Sequence, residues 1–387
     1  MLSPLGLSPS FGFGDRLGLA TPGHIAAVLG TRFAPLFAQQ SVRENARTGR
    51  TPQQVMDDAR RAVEAAGWDG PWGADADHLK TLADLPPFVA AGYTFFTVDP
   101  GAHVDNAADS DPVPALRAKA AGAEWDDLPS RYLNADPGLG FVSFDETSLL
   151  RAAVKYGRAI RHTHEMYRRL TELKADFDFE VSVDETDSPT TPLEHFFIAN
   201  ELTRLGVRFT SLAPRFIGRF EKGVDYIGDL AALDAEMAKH AAVTARFGSY
   251  KLSLHSGSDK FSVYPLIARH WGDRIHVKTA GTSYLEALRT LAAHEPDLFH
   301  SIYALGLERY PQDRATYHVS AAVELVPPLK NPADLLENFH AREILHVTFG
   351  SALSQFGPRI RAALEKHSAA YQENLRRHFT RHLALLA

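Results

Sequence analysis

The chain contains no cysteine. That excludes structural disulfides, thiolate-held zinc and a cysteine nucleophile together. No block of like charge stands out either, and the formal net charge is −6. A nucleic-acid binder would need a basic patch. No stretch approaches the roughly 20 apolar residues that span a bilayer. The opening, MLSPLGLSPSFGFGDRLG, has no basic start ahead of an apolar run, so it does not read as a secretory signal. The expectation is a soluble cytoplasmic protein with neither nucleic-acid nor membrane partners; a homo-oligomer is allowed.

What is present is ordinary for a globular enzyme. The 387 residues are 45% hydrophobic and 23% charged. Length allows two or three domains, but a single (β/α)8 barrel with insertions also reaches this size. With 18 His and 47 Asp plus Glu, metal sites built from nitrogen and oxygen donors stay open.

The most informative stretch is 250–265, YKLSLHSGSDKFSVYP. Lys251, Ser253 and His255 alternate with Leu252 and Leu254, the period of a strand with two unlike faces. Three other stretches repeat the arrangement. In 179–186, Glu180, Ser182 and Asp184 share one face. In 274–279, His276 and Lys278 do. In 344–349, His346 pairs with Thr348. Further strands are read at 11–20, near Trp72, at 93–98 and at 207–213, most of them followed by a helical pattern such as 51–66, where Thr51 can cap and Pro52 starts the helix. About eight strands alternating with helices predict a TIM-type (β/α)8 barrel over residues 1–387. On this count 101–147, rich in Asp, Ala, Gly and Pro, is an insertion or cap between strands three and four. Residues 296–340 are a helical insertion before the last strand. A doubly wound sheet is disfavoured, because Gly12-Phe13-Gly14 lacks the third glycine and the acidic residue of a dinucleotide fingerprint.

Polar residues on inner strand faces are costly unless paired or bound to a metal, so they point to a working pocket. Each has a plainer reading. His276 and His346 lie mid-strand, where a satisfied core histidine is the commoner case. Asp184 and Glu185 could cap a helix, and Glu180 could pair with Lys251 or Lys278. His255 stands apart because it ends its strand, where barrel active sites form. The segment GADADHLKT holds Asp75, Asp77, His78 and Lys80. It reads either as a solvated helix start or as a base beside a metal ligand. APRFIGRFEKGVDY carries Arg215, Arg219, Glu221, Lys222 and Asp225, either as a surface charge run or as a functional loop. His78, Glu221 and His255 could meet as a site for Zn, Mn, Co, Ni or Fe.

These segments, together with FGFGDRLGLATPGH, TFFTVDPG, SVDETDSPTTPLEHFF, HVKTAGTSYLEALR and ILHVTFGS, resemble the tagaturonate/fructuronate epimerase family of bacterial hexuronate catabolism. The resemblance runs from near the N-terminus to about residue 351. It implies a sugar-acid substrate, a divalent metal on His78, Glu221 and His255, and Asp77 as base. The counterpart acid would come from the strand end holding Glu180, Asp184 and Glu185. Arg16, Lys80 or Arg215 would hold the uronate carboxylate, and Lys260 or Lys278 would stabilise an oxyanion. The inverted carbon lies β to the ketone, so its C–H is not acidified by the carbonyl. Retro-aldol cleavage and re-addition is therefore favoured over direct proton abstraction, with transient oxidation as the chemical rival. Alternative readings are a ketose epimerase acting on a neutral sugar such as tagatose or fructose, a metal-dependent sugar-acid aldolase, and a non-catalytic sugar-binding protein.

Overall fold

The computed structural model describes residues 1–121, 127–328 and 331–387. Eight strands run in chain order: β1 Ser10–Gly14, β2 Ala34–Ser41, β3 Gly73–Leu79, β4 Phe95–Val98, β5 Asp178–Ser182, β6 Ser211–Ala213, β7 Lys251–Leu254 and β8 Ile275–Thr279. Each pairs in parallel with the next, and β8 pairs with β1 to close the barrel. This is the expected (β/α)8 architecture.

Local chemistry explains the helices between strands. Thr51 caps Pro52–Ala65 in a reciprocal box with Gln54, and Thr191 caps Pro192–Arg204 in the same way with Glu194. Each satisfies two otherwise orphaned N–H groups, with Pro at the first helical position, where its missing donor costs nothing. The outer strand faces, including Phe11, Phe13, Val181, Leu212, Leu252 and Val277, join the main apolar core. Inside the barrel the apolar filling is small: Leu5, Leu36 and Phe95 form a plug at the N-terminal end. Above it the register aligns Thr97 with Glu180, Glu180 with Ser211 and Ser211 with Lys251. A polar belt therefore crosses the barrel interior.

Two strand assignments differ from the sequence reading. The stretch 344–349 is not the eighth strand; 344–347 ends the helix Phe339–Val347, which Asn338 caps. Residues 341–347 are all buried. With every side of this stretch buried, the polar Arg342, Glu343 and His346 included, the pattern within 344–349 alternates as in a strand and its β-branched residues imitate one. The uncounted strand is β2, whose register shifts between Leu36 and Ala38, so its alternation is broken. The insertions move accordingly. Residues 101–147 lie between β4 and β5, and 296–340 follow the last strand instead of preceding it. Residues 122–126 and 329–330 of these two segments lie outside the described residues.

After β8, the helices Thr282–His294, Pro296–Asp313, Phe339–Val347, Phe349–Lys366 and Ser368–Leu385 pack beside the barrel. His346 sits on a helix, not a strand, and borders the smaller of two cavities at the C-terminal end of the barrel. It is lodged against Gly281, where an added Cβ would lie 1.7 Å from its Nε2, and against Gly223.

Candidate functional site

β3 brings Asp75 and Asp77 inward, and His78 follows with φ of 52°. His255 directly follows β7, and Ser256 after it has φ of 49°. Left-handed backbone at two non-glycine residues is held against its own preference, as often happens at functional sites. The imidazoles of His78 and His255 meet edge to face, with centroids 5.1 Å apart.

Lys278 on β8 is the electrostatic hub. Its Nζ lies 2.7 Å from Asp75 Oδ2, 2.8 Å from Asp77 Oδ1 and 2.9 Å from Glu180 Oε1, and it also donates to Thr97 Oγ1. His255 Nε2 donates to Glu180 Oε1 at 2.7 Å, and its Nδ1 lies 3.2 Å from Asp184 Oδ1. His78 Nδ1 lies 3.5 Å from Asp99 Oδ2. Neither atom has a hydrogen bond, although both are buried.

The result is a strongly negative field. Burial opposes a charge on His78, but Asp77, Asp99, Glu185 and Asp184 outweigh it and lift its pKa to about 10. Burial likewise opposes a charge on His255, but Asp184 and Glu180 lift it to about 9 against Lys278. Burial, then Asp77 and Glu180, push Asp75 up to about 7 despite Lys278. Asp77 itself is pulled far below the carboxylate range: burial resists, but the charges of His78, Lys278 and His255 prevail. Opposite charges at short range favour the ionised form.

Two cavities meet at this point. The larger, of about 360 Å³, is bounded by Asp184, Glu185, Arg215, Glu221 and Ser320. The smaller is bounded by Asp77, His78, Arg16, Arg43 and Lys278. Lys222, His255, Ser256 and Tyr317 belong to both walls.

The sequence candidates divide clearly. Asp77, His78, Glu180, Asp184, His255 and Lys278 converge. Glu185 joins them through the group His78, Asp99 and Glu185, and is paired with Arg43 at 2.9 Å. Donor atoms of Asp77, His78 and His255 lie within 4.8 Å of one another. Glu221 shares a cavity with His255, but its carboxylate accepts from Ser320 Oγ at 2.7 Å and the Ser320 N–H at 2.8 Å. Arg215 lines the larger cavity. Three expected substrate contacts are already paired or enclosed. Arg16 is buried, paired with Glu44 at 2.9 Å and stacked on Phe349. Lys80 is half exposed and lies 3.1 Å from Asp99. Lys260 is wholly buried and donates to the carbonyls of Glu221, Val224 and Ser258.

Residues that the sequence did not single out as site members are Asp99, Arg43, Ser256, Tyr317 and Ser320, and Lys222 was named only within its charged loop. Asp99 had a signal, since it continues the Phe95–Thr97 face. Tyr317 and Ser320 had none, because they arrive from a segment far along the chain. A third cluster, Asp259, His378 and His382, is already saturated. Asp259 lies 2.9 Å from Arg342, accepts from His378 at 2.7 Å and from Thr282 at 3.1 Å. It fastens Ser368–Leu385 to the loop after β7.

Comparison with known proteins places the whole chain in one family. The family model described as UxaE, tagaturonate epimerase, matches residues 3–386. The tagaturonate/fructuronate epimerase of Thermotoga maritima is 45% identical over 396 residues, covering 98% of this chain and 81% of that protein. A glycerol-bound crystal structure of fructuronate-tagaturonate epimerase UxaE from Cohnella laeviribosi superposes with a TM-score of 0.96 at 38% identity, over 100% of this chain and 83% of the other. A probable tagatose 6-phosphate kinase from Sinorhizobium meliloti shares the fold alone, at 11% identity and a TM-score of 0.53 over 98% of this chain and 100% of that one. With its barrel and nearly its whole length matched, the chain belongs to the tagaturonate epimerase family.

Proposed function

We propose that the joined cavities interconvert D-tagaturonate and D-fructuronate by retro-aldol cleavage and re-addition, with a divalent metal ion held by His78 and His255. Glu221, on the same cavity wall as His255, would complete the ligand set by exchanging its hydrogen bonds from Ser320 for the metal. The observation that carries this reading is the convergence of two imidazoles and Asp77 within 4.8 Å in a field that raises both histidines. A site that stabilises two extra positive charges is suited to a dication, which would replace the protons of His78 and His255 and bind them as neutral imidazoles. Nitrogen and oxygen donors suit Zn, Mn, Co, Ni or Fe. A metal bound there supplies Lewis acidity that stabilises negative charge developing on the ketone-bearing fragment.

The chain's own groups handle the protons. Asp77, kept ionised and oriented by Lys278 at 2.8 Å, takes the proton of the β-hydroxyl. The C–C bond breaks, the hydroxyl carbon becomes an aldehyde, and the bonding pair stays with the other fragment. After the aldehyde rotates, re-addition to its opposite face returns the proton to the new hydroxyl. Asp184 and Glu185, on the wall of the larger cavity, serve that second face as the paired acid and base. The enclosing walls keep the aldehyde from escaping during its rotation.

The test is epimerisation of both ketouronates after EDTA treatment and again after metal add-back. Activity that vanishes and returns is expected. Full activity in metal-free protein would overturn the metal assignment. Loss of a deuterium label from the inverted carbon would overturn the retro-aldol route, and net release of cleaved fragments would favour an aldolase.

A further inference from the structure

A sugar acid differs from a neutral ketose by one carboxylate, and a carboxylate needs a cation that is not already neutralised. Most cations near the cavities fail that condition. Lys278 faces three carboxylates. Arg43 pairs with Glu185, Arg16 with Glu44 and Lys80 with Asp99. Arg219 lies 3.4 Å from Glu221 with over half its side chain in solvent. Lys260 is enclosed by carbonyls.

Lys222 and Arg215 remain. Among the described residues neither lies within ion-pair distance of a carboxylate, yet both line the larger cavity. Lys222 also lines the smaller one, so its side chain stands where the two join, beside His255. Its Nζ donates to Ser256 Oγ at 2.7 Å. Ser256 immediately follows His255 in left-handed backbone, which fixes the hydroxyl that aims the ammonium. Arg215 has a buried Nη1 with no partner, while its backbone is tied to Thr190 through N–H to Oγ1 at 3.1 Å and C=O to N–H at 2.7 Å. A buried donor left unsatisfied is costly unless a ligand completes it.

We infer that Lys222 and Arg215 bind the carboxylate of the substrate, with Lys222, oriented by Ser256, distinguishing a sugar acid from a neutral sugar. This rests on the ketouronate reading above. A failure of that reading appears in the wild-type assay, whereas a failure of this one appears only in the variants. Two cations on adjacent walls can share one carboxylate, and charge-assisted hydrogen bonds are the strong ones in such a site.

The test compares wild type with Lys222→Met, Lys222→Gln and Arg215→Gln, all metal-replete. Readouts are KM and kcat on both ketouronates, and inhibition by gluconate against its neutral counterpart glucitol. Loss of one charged hydrogen bond should raise KM and the gluconate inhibition constant by about 10- to 150-fold, leave glucitol inhibition within about twofold, and leave metal content unchanged. Lys222→Arg should recover part of the loss. Equal effects on gluconate and glucitol would overturn the assignment, as would a fall in kcat at constant KM, which would mark a proton-transfer role. Arg215→Gln keeps the question open to test if the Lys222 variants fail to fold.

Discussion

Lys278 Nζ lies 2.8 Å from Asp77 Oδ1 at the barrel axis, joining the last strand to the third. The same ammonium also contacts Asp75 and Glu180, so one positive charge offsets several buried acids. Lys278→Met should destabilise the fold by about 3–5 kcal/mol, because breaking a buried ion network strands the remaining charges. It should also sharply lower epimerisation, since Asp77 loses the ammonium that orients it at 2.8 Å and one of the three charges that keep it ionised. Chemical denaturation and kcat measured on the same preparation check both. A variant of wild-type stability would show that the network is not held by this residue.

His255 ties the site to the chain at β7. Its replacement by Ala should lower bound metal well below one equivalent and reduce kcat/KM by more than about 100-fold, beyond what loss of an outer-shell partner does. Metal analysis and steady-state kinetics decide it. Full metal content with full activity would mean that His255 is not a ligand.

Gly281 should not tolerate a side chain. A Cβ there would lie 1.7 Å from His346 Nε2, and His346 is buried in a tight slot. Gly281→Ala should cost about 1–3 kcal/mol by overpacking. The His346→Ala background should remove most of that cost. A double-mutant cycle in denaturant measures the coupling, and additive losses would contradict the contact.

Acid should weaken the fold through histidines that are buried neutral. His24 is fully buried against Phe13, bonded to Ser283 at 2.8 Å, and burial lowers its pKa to about 4 despite Asp15. Unfolded, it titrates near 6.5. Between those values the unfolded chain holds the extra proton, so stability present above about pH 6.5 is lost as pH falls toward 4, on the order of 3 kcal/mol in all. His24→Gln should flatten that part of the stability profile. Unfolding free energies from pH 7 to 4.5 give the slope, and identical slopes would remove His24 from the account.

The barrel was legible where strand alternation is clean. β7 reads plainly because Leu252 and Leu254 face helices while Lys251, Ser253 and His255 face the axis. The same period marked Glu180 and Lys278. It failed at β2, where a register shift breaks the alternation, and at 344–349, where a helix buried on all sides alternates as a strand does.

Local sequence, then, determined the element type wherever one face differed from the other, and it pointed to Asp77, His78 and His255, whose donor atoms the barrel brings within 4.8 Å of one another. Which charges neutralise which could be decided only by the closed barrel. Lys80, Lys260, Lys222 and Lys278 are alike as letters in the chain. Their roles separate because carboxylates and carbonyls from distant strands and loops already occupy Lys278 and Lys260, while the ammonium of Lys222 is left facing the cavity. Electrostatic commitment depends on distance in space, and closing the barrel sets those distances.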